Sequence, residues 1–132
     1  MCVIPNGFDL NAFHPDSAAR ISVREELGLT ADTLLIGLVG RFDPQKDHHN
    51  FVQAAAQLHT QRPDVHFLLC GGEIEWSNTT LGGWIHEAGI ESQVHLMGRR
   101  QDMPRLTAAL DIASLSSLGE GFPNVVGEAM AC

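Results

Sequence analysis

The run Leu34-Leu35-Ile36-Gly37-Leu38-Val39-Gly40-Arg41-Phe42-Asp43-Pro44-Gln45-Lys46-Asp47 decides how the chain folds. Residues 34–40 are apolar without polar alternation, which suits a strand buried on both faces of a parallel sheet. Asp47 then stands where a helix needs its N-cap, ahead of Phe51, Ala55 and Leu58 at helical spacing. Similar unbroken apolar runs recur at 66–72, 93–98 and 112–117. Between them, Leu81, Trp84, Ile85 and Ala88 repeat the helical pattern, although Gly82-Gly83 lower its propensity. Met103, Leu106, Ala109 and Leu110 mark a further helix with Pro104 in its first turn. Upstream, residues 21–27 predict a short helix ended by Gly28, and residues 1–20, rich in Asn, Pro and Asp, read as a linker. Strand and helix in repeated alternation predict an α/β fold, a doubly wound parallel sheet flanked by helices.

Composition narrows the functional classes. A chain of 132 residues, 44% apolar, can bury one core and not two. Its apolar runs stay below the ~18 residues that a membrane span requires. No basic stretch precedes a hydrophobic one near Met1, so nothing suggests a signal peptide. The net charge of -8 argues against a nucleic-acid partner, whose phosphates call for a basic surface. Cys2, Cys70 and Cys132 are odd in number and far apart, which fits reduced thiols in a cytoplasmic protein. His48 and His49 are adjacent, so their side chains diverge on a helix, and no Cys-x-x-Cys or His-x-x-x-His pair exists; no metal site is expected. The chain stops at Cys132 inside a helical pattern with no capping glycine, and is expected to be a fragment, incomplete at its C-terminus.

In doubly wound sheets ligands bind beyond the carboxyl ends of the strands. Arg41 and Lys46 follow the first run and Arg99 and Arg100 the third, which puts half of the 8 basic residues at that edge. Gly71-Gly72 follow the second, where a backbone can approach a ligand closely. After the fourth comes Ser117-Leu118-Gly119-Glu120-Gly121-Phe122-Pro123-Asn124-Val125-Val126-Gly127-Glu128. Here two carboxylates flank a Gly-Phe-Pro-Asn turn at a helix start, and both are expected to line one cavity. Helix N-termini attract phosphate, whereas carboxylates accept hydrogen bonds from vicinal hydroxyls. A site offering both suits a nucleotide sugar. Arg41 can grip a diphosphate bidentately and Lys46 as a point charge. The plainer alternatives stay open at this point. Arg41 and Lys46 fit solvated strand-end residues, Glu128 a helix-surface residue, and Glu120 a favourable charge near a helix N-terminus. There is no Gly-x-x-x-x-Gly-Lys-Ser/Thr loop and no Gly-x-Gly-x-x-Gly after the first strand, so ATPase and dinucleotide-dehydrogenase readings lose their main support.

The segment 120–132, Glu-Gly-Phe-Pro-Asn-Val-Val-Gly-Glu-Ala-Met-Ala-Cys, closely resembles the Glu-x7-Glu signature of family-4 (group 1) retaining glycosyltransferases of the GT-B fold. Val-Ile-Pro-Asn-Gly-Phe-Asp (3–9), with Phe13-His14-Pro15, resembles the family's lead-in to its donor domain. Residues 39–47 resemble its Gly-Arg…Lys segment, and His95-Leu96-Met97-Gly98 the strand before its nucleobase loop. The resemblance spans essentially the whole chain. It implies a Rossmann-like donor domain over residues 21–132, with the N-terminal acceptor domain absent. It further implies that Arg41 and Lys46 bind the donor diphosphate and stabilise charge on the departing nucleotide. Glu120 would contact the hexose and Glu128 the ribose. Backbone groups around Gly121, Phe122, Asn124 and Val125 would cradle phosphate, and Arg99 would border the base. The family uses UDP-, GDP- or ADP-sugars, UDP-sugars being expected first here, and needs no metal or other cofactor. The acceptor would be a glycan or a lipid-linked sugar, held through the missing domain. The full-length protein would be cytoplasmic, able to dock peripherally at the inner face of the membrane. Two departures stand out: Ser116-Ser117 where the family often has Pro-Ser, and Gly119 where an aromatic often precedes the first glutamate. The fourth strand is expected to be an exposed edge. The fragment alone is expected to be inactive. A UDP-sugar 2-epimerase of the same architecture and a non-catalytic Rossmann-like module are the alternatives.

Overall fold

The computed structural model describes residues 7–132; residues 1–6, with Cys2 and the start of the 3–9 motif, lie outside the described residues. The element order is α1 (Ser17–Glu26), β1 (Leu35–Val39), a 3₁₀ turn (Pro44–Lys46), α2 (His48–Gln61), β2 (His66–Cys70), α3 (Thr79–Ala88), β3 (Val94–Leu96), α4 (Met103–Ala109), β4 (Ile112–Ser114) and α5 (Asn124–Ala131). All strand pairs are parallel, in the order β3-β2-β1-β4. This is the expected doubly wound α/β sheet.

The unbroken apolar runs are explained by what covers them. Along β2, Phe67 and Leu69 point into one core with Phe51, Val52 and Ala55 of α2 and Leu81 and Ile85 of α3. Leu68 and Cys70 point into a second core with Val23 of α1 and Leu106 and Ala109 of α4. Successive strand residues face opposite sides, so a strand sandwiched between two helical layers needs apolar side chains throughout. Full burial of each such side chain contributes about 1.5–3 kcal/mol.

Chain order and strand order together locate the crevice. The path β1–α2–β2–α3–β3 winds outward with its helices on one face. Then α4 crosses on the other face and β4 returns to the free side of β1. The direction of winding reverses between β1 and β4, and ligands of open α/β sheets bind at such a switch point. β4 is an edge of this sheet, as expected, and Ile112 is 47% exposed there.

Some boundaries differ from the sequence reading. α1 begins at Ser17 rather than residue 21, because the Asp16 carboxylate accepts from the Ala19 N–H and caps it there. β4 ends at Ser114, beyond which the chain leaves the sheet and Ser116 and Leu118 bond the turn after β1. Asp47 caps α2 as expected, by accepting from the Asn50 N–H. Gly89, at φ 67, closes α3 in the left-handed conformation that favours glycine.

Candidate functional site

Two loops meet at the switch point. The first is Gly40 to Asp47, which leaves β1 and turns through Pro44–Lys46; the second is Leu115 to Pro123, which leaves β4 and enters α5. Gly71 makes the first loop possible: a Cβ there would lie 2.2 Å from the Gly40 carbonyl oxygen, so only glycine lets the backbones pass. The loops are then tied together. The Leu118 N–H donates to the Gln45 carbonyl (2.8 Å), and the Gln45 side-chain amide donates to the Gly119 carbonyl (2.6 Å). Ser116 Oγ donates to the Lys46 carbonyl at 2.7 Å, a bond that proline in its place cannot make. Across the same gap Lys46 Nζ meets Glu120 Oε1 at 2.5 Å, and Ser117 Oγ donates to that oxygen at 2.7 Å.

The structure therefore joins Lys46 and Glu120 from opposite sides of the crevice. The Lys46 ammonium first, and the Ser117 hydroxyl after it, hold the Glu120 carboxyl below its ordinary range. Arg41 sits beside them, its Nε and Nη2 engaged by Asp43 at 3.1 and 2.9 Å. Its side chain is 72% exposed, so the guanidinium can swing to an incoming anion. Asp43 is itself held low by the Gln45 N–H, and then by Arg41 against the opposing effect of burial.

Glu128 takes a different position. With Val125 it borders a cavity of about 260 Å³ whose other walls include Gly37, Val39, Ser114 and Leu110. Glu120 is not among the residues lining it, so the two glutamates do not share this cavity as expected. They lie at the loop and helix sides of one strand end, because β4 stops early and α5 starts at Asn124. Gly121 and Phe122 form the exposed turn between them. The Phe122 ring stacks on Phe8 at 6.0 Å, and the Phe8 ring also rests on Gly127. The lead-in segment and the Glu-x7-Glu segment, widely separated in sequence, are thus in contact.

Of the other basic residues, Arg100 does not serve this edge. Its guanidinium is fixed by Glu26 (2.8 Å) and Asp102 (2.8 Å), in a network that Arg105 completes. Arg99 is exposed after β3 and makes no hydrogen bond or ion pair among the described residues. The ties made by Gln45 and Ser116 were missed in the sequence. Their only signal was polar residues in a loop otherwise read for charge. Also missed was Asp111, which accepts from the Leu35 N–H (2.7 Å) and pairs with Arg20 and the buried Arg24, bracing β4 against β1 and α1. No group of three or more His, Cys, Asp and Glu side chains able to hold a metal occurs among the described residues.

A family model described as glycosyl transferases group 1 matches residues 33–132. The chain belongs to that family. The chain is similar to the UDP-Gal:alpha-D-GlcNAc-diphosphoundecaprenol alpha-1,3-galactosyltransferase of Escherichia coli, 32% identical over 98% of this chain and 34% of that protein. Anabaena HepE, solved in complex with UDP and glucose, superposes with a TM-score of 0.86 at 32% identity, over 99% of this chain and 36% of that one. The C-terminal domain of the group 1 protein LpcC from Francisella tularensis gives 0.78 at 26% identity, over 95% of this chain and 66% of that one. The chain spans about a third of the length of the curated relatives it matches. Its fold is that of GT-B glycosyltransferase C-terminal domains.

Proposed function

We propose that the chain is the donor-binding part of a retaining glycosyltransferase that moves a hexosyl unit from a UDP-sugar to a glycan or lipid-linked acceptor. The observation that carries this reading is the Lys46–Glu120 pair placed across the β1/β4 switch point. Lys46 and Arg41 bind the diphosphate; Glu120 accepts from hexose hydroxyls and Glu128 from the ribose. The start of α5, with the backbone of Gly121, Phe122, Asn124 and Val125, adds the partial positive charge of a helix N-terminus. Arg99 borders the base.

In the reaction the acceptor hydroxyl oxygen bonds the anomeric carbon as the bond to the diphosphate breaks. UDP departs with the electron pair, and the acceptor proton is released. Lys46 and Arg41 stabilise the charge that grows on the leaving phosphate, where fixed cations act most strongly. No metal is assigned a part in this. UDP is favoured as donor nucleotide because HepE is solved with UDP and UDP-glucose and the Escherichia coli relative is named for a UDP-sugar. The diphosphoundecaprenol in that relative's name supports a lipid-linked acceptor, hence action at the cytoplasmic face of a membrane. No helix among the described residues is long and apolar enough to cross one.

Calorimetric titration with UDP, GDP and ADP tests the donor site. We expect UDP to bind, and Lys46→Ala to weaken it about tenfold or more, the worth of a charge-assisted hydrogen bond. Absence of binding by all three nucleotides to the folded chain contradicts the reading. So does transferase turnover by the 132 residues alone, which hold one wall of the proposed cleft.

A further inference from the structure

Apart from Phe122, which stacks on Phe8, the turn that carries Glu120 has no apolar support from Leu118 to Gly121. Leu118 is 77% exposed, and no heavy atom lies within 4 Å of where a Cβ of Gly119 or Gly121 would stand. The polar ties to the 3₁₀ turn after β1 must therefore hold Glu120 in place. Three come from the Glu120 loop itself, through the Leu118 N–H, Ser116 Oγ and the Glu120 carboxylate. The remaining one is the side chain of Gln45, whose Nε2 donates to the Gly119 carbonyl, one residue before Glu120.

Gln45 is well anchored for this task. Its N–H donates to Asp43 Oδ1 at 2.9 Å, and its carbonyl receives the Leu118 N–H. It sits between Asp43, the partner of Arg41, and Lys46, the partner of Glu120. Gln45 thus lies on the loop that carries both cations and bonds the residue next to the carboxylate. We infer that Gln45 is a positioning residue for donor recognition: its amide fixes the Gly119–Glu120 turn so that Glu120 reaches the hexose while Lys46 and Arg41 take the diphosphate. This rests on the donor-site reading given above. The Gln45 amide is spent on the Gly119 carbonyl, so its loss would separate sugar recognition from nucleotide recognition. A general loss of fold would weaken both together.

The test uses Gln45→Met, which keeps the side-chain length and removes the donor, with Gln45→Ala beside it. Two readouts are taken: the Glu120 carboxyl titration by carbon NMR without ligand, and calorimetric affinities for UDP, UDP-glucose and UDP-galactose. In both variants the Glu120 pKa rises toward the ordinary glutamate range as Lys46 and Ser117 lose their hold. UDP affinity stays within about twofold, and the advantage of the preferred UDP-sugar over UDP shrinks by about threefold to tenfold, the scale of one hydrogen bond. An unmoved Glu120 titration in a chain that binds UDP overturns the role of Gln45 alone. Equal weakening of UDP and UDP-sugar overturns it too. A wild-type chain that binds none of the three overturns the donor-site reading, and this inference with it.

Discussion

Lys46 Nζ lies 2.5 Å from Glu120 Oε1, across the gap between the ends of β1 and β4. Without ligand, the cation assigned to the diphosphate and the carboxylate assigned to the sugar neutralise each other. In the proposed site a donor would exchange this pair, its diphosphate replacing Glu120 on Lys46 and its hydroxyls replacing Lys46 on Glu120. The pair is partly exposed, so its strength is modest and the exchange costs little. Glu120→Gln removes the competing charge. UDP should then bind up to about fivefold more tightly at low salt, the scale of an exposed ion pair, while UDP-sugars lose their advantage over UDP. Calorimetry on both ligands checks this; weaker UDP binding by the variant contradicts it.

Asp111 holds the sheet beneath the site. Its pKa is subject first to burial, which raises it, but the Leu35 N–H and the Arg20 and Arg24 guanidiniums outweigh that and hold it low. Arg24 is 2% exposed, and Asp111→Ala leaves its charge buried without a carboxylate. The variant should lose about 3–5 kcal/mol in urea unfolding. A loss below about 1 kcal/mol would show that the pair is not needed to dock β4.

Gly71→Ala directs a methyl group at the backbone of Gly40, which cannot give way as a side-chain tip can. It should cost about 1–3 kcal/mol and disturb the Arg41 turn. Gly119→Ala meets open space and should leave stability unchanged. Thermal unfolding of the two variants side by side measures the contrast.

Three histidines predict an acid-sensitive fold. Burial, and then the charge of nearby His66, lower the pKa of His95 to about 4. Burial lowers those of His66 and His48 as well. The folded state thus prefers the neutral rings, and the unfolded chain takes up protons first. Their contribution is fully present above the ordinary histidine value of 6.5 and is lost as pH falls from there toward about 4. The unfolding temperature should drop between pH 7 and pH 5, and His95→Gln should flatten that drop. An equal drop in the variant contradicts the assignment.

How much was legible in the sequence follows from which forces are local. The strands of the doubly wound sheet were visible because burial on both faces imposes unbroken apolar runs, and Asp47 marked α2 through its cap. α1 was cut short because Ser17, Ala18 and Ala19 carry little apolar signal, although Asp16 offered a cap. Arg100 looked like a ligand residue because Glu26, its partner, lies in α1 and is distant in sequence. The cations and carboxylates of the candidate site are visible in the sequence as residue types at strand ends. What was not readable is that β4 stops at Ser114, which frees Ser116 and Leu118 to bond the β1 loop and separates Glu120 from the cavity at Glu128.

The central claim is that the β1/β4 switch point binds a UDP-sugar, and an amide NMR titration of the chain with UDP tests it most directly. The account predicts shifts confined to the residues of the Gly40–Lys46 loop, the Leu118–Glu128 segment and the turn after β3, lost in Lys46→Ala. A dispersed spectrum that ignores UDP, or one that shifts equally in Lys46→Ala, would contradict it.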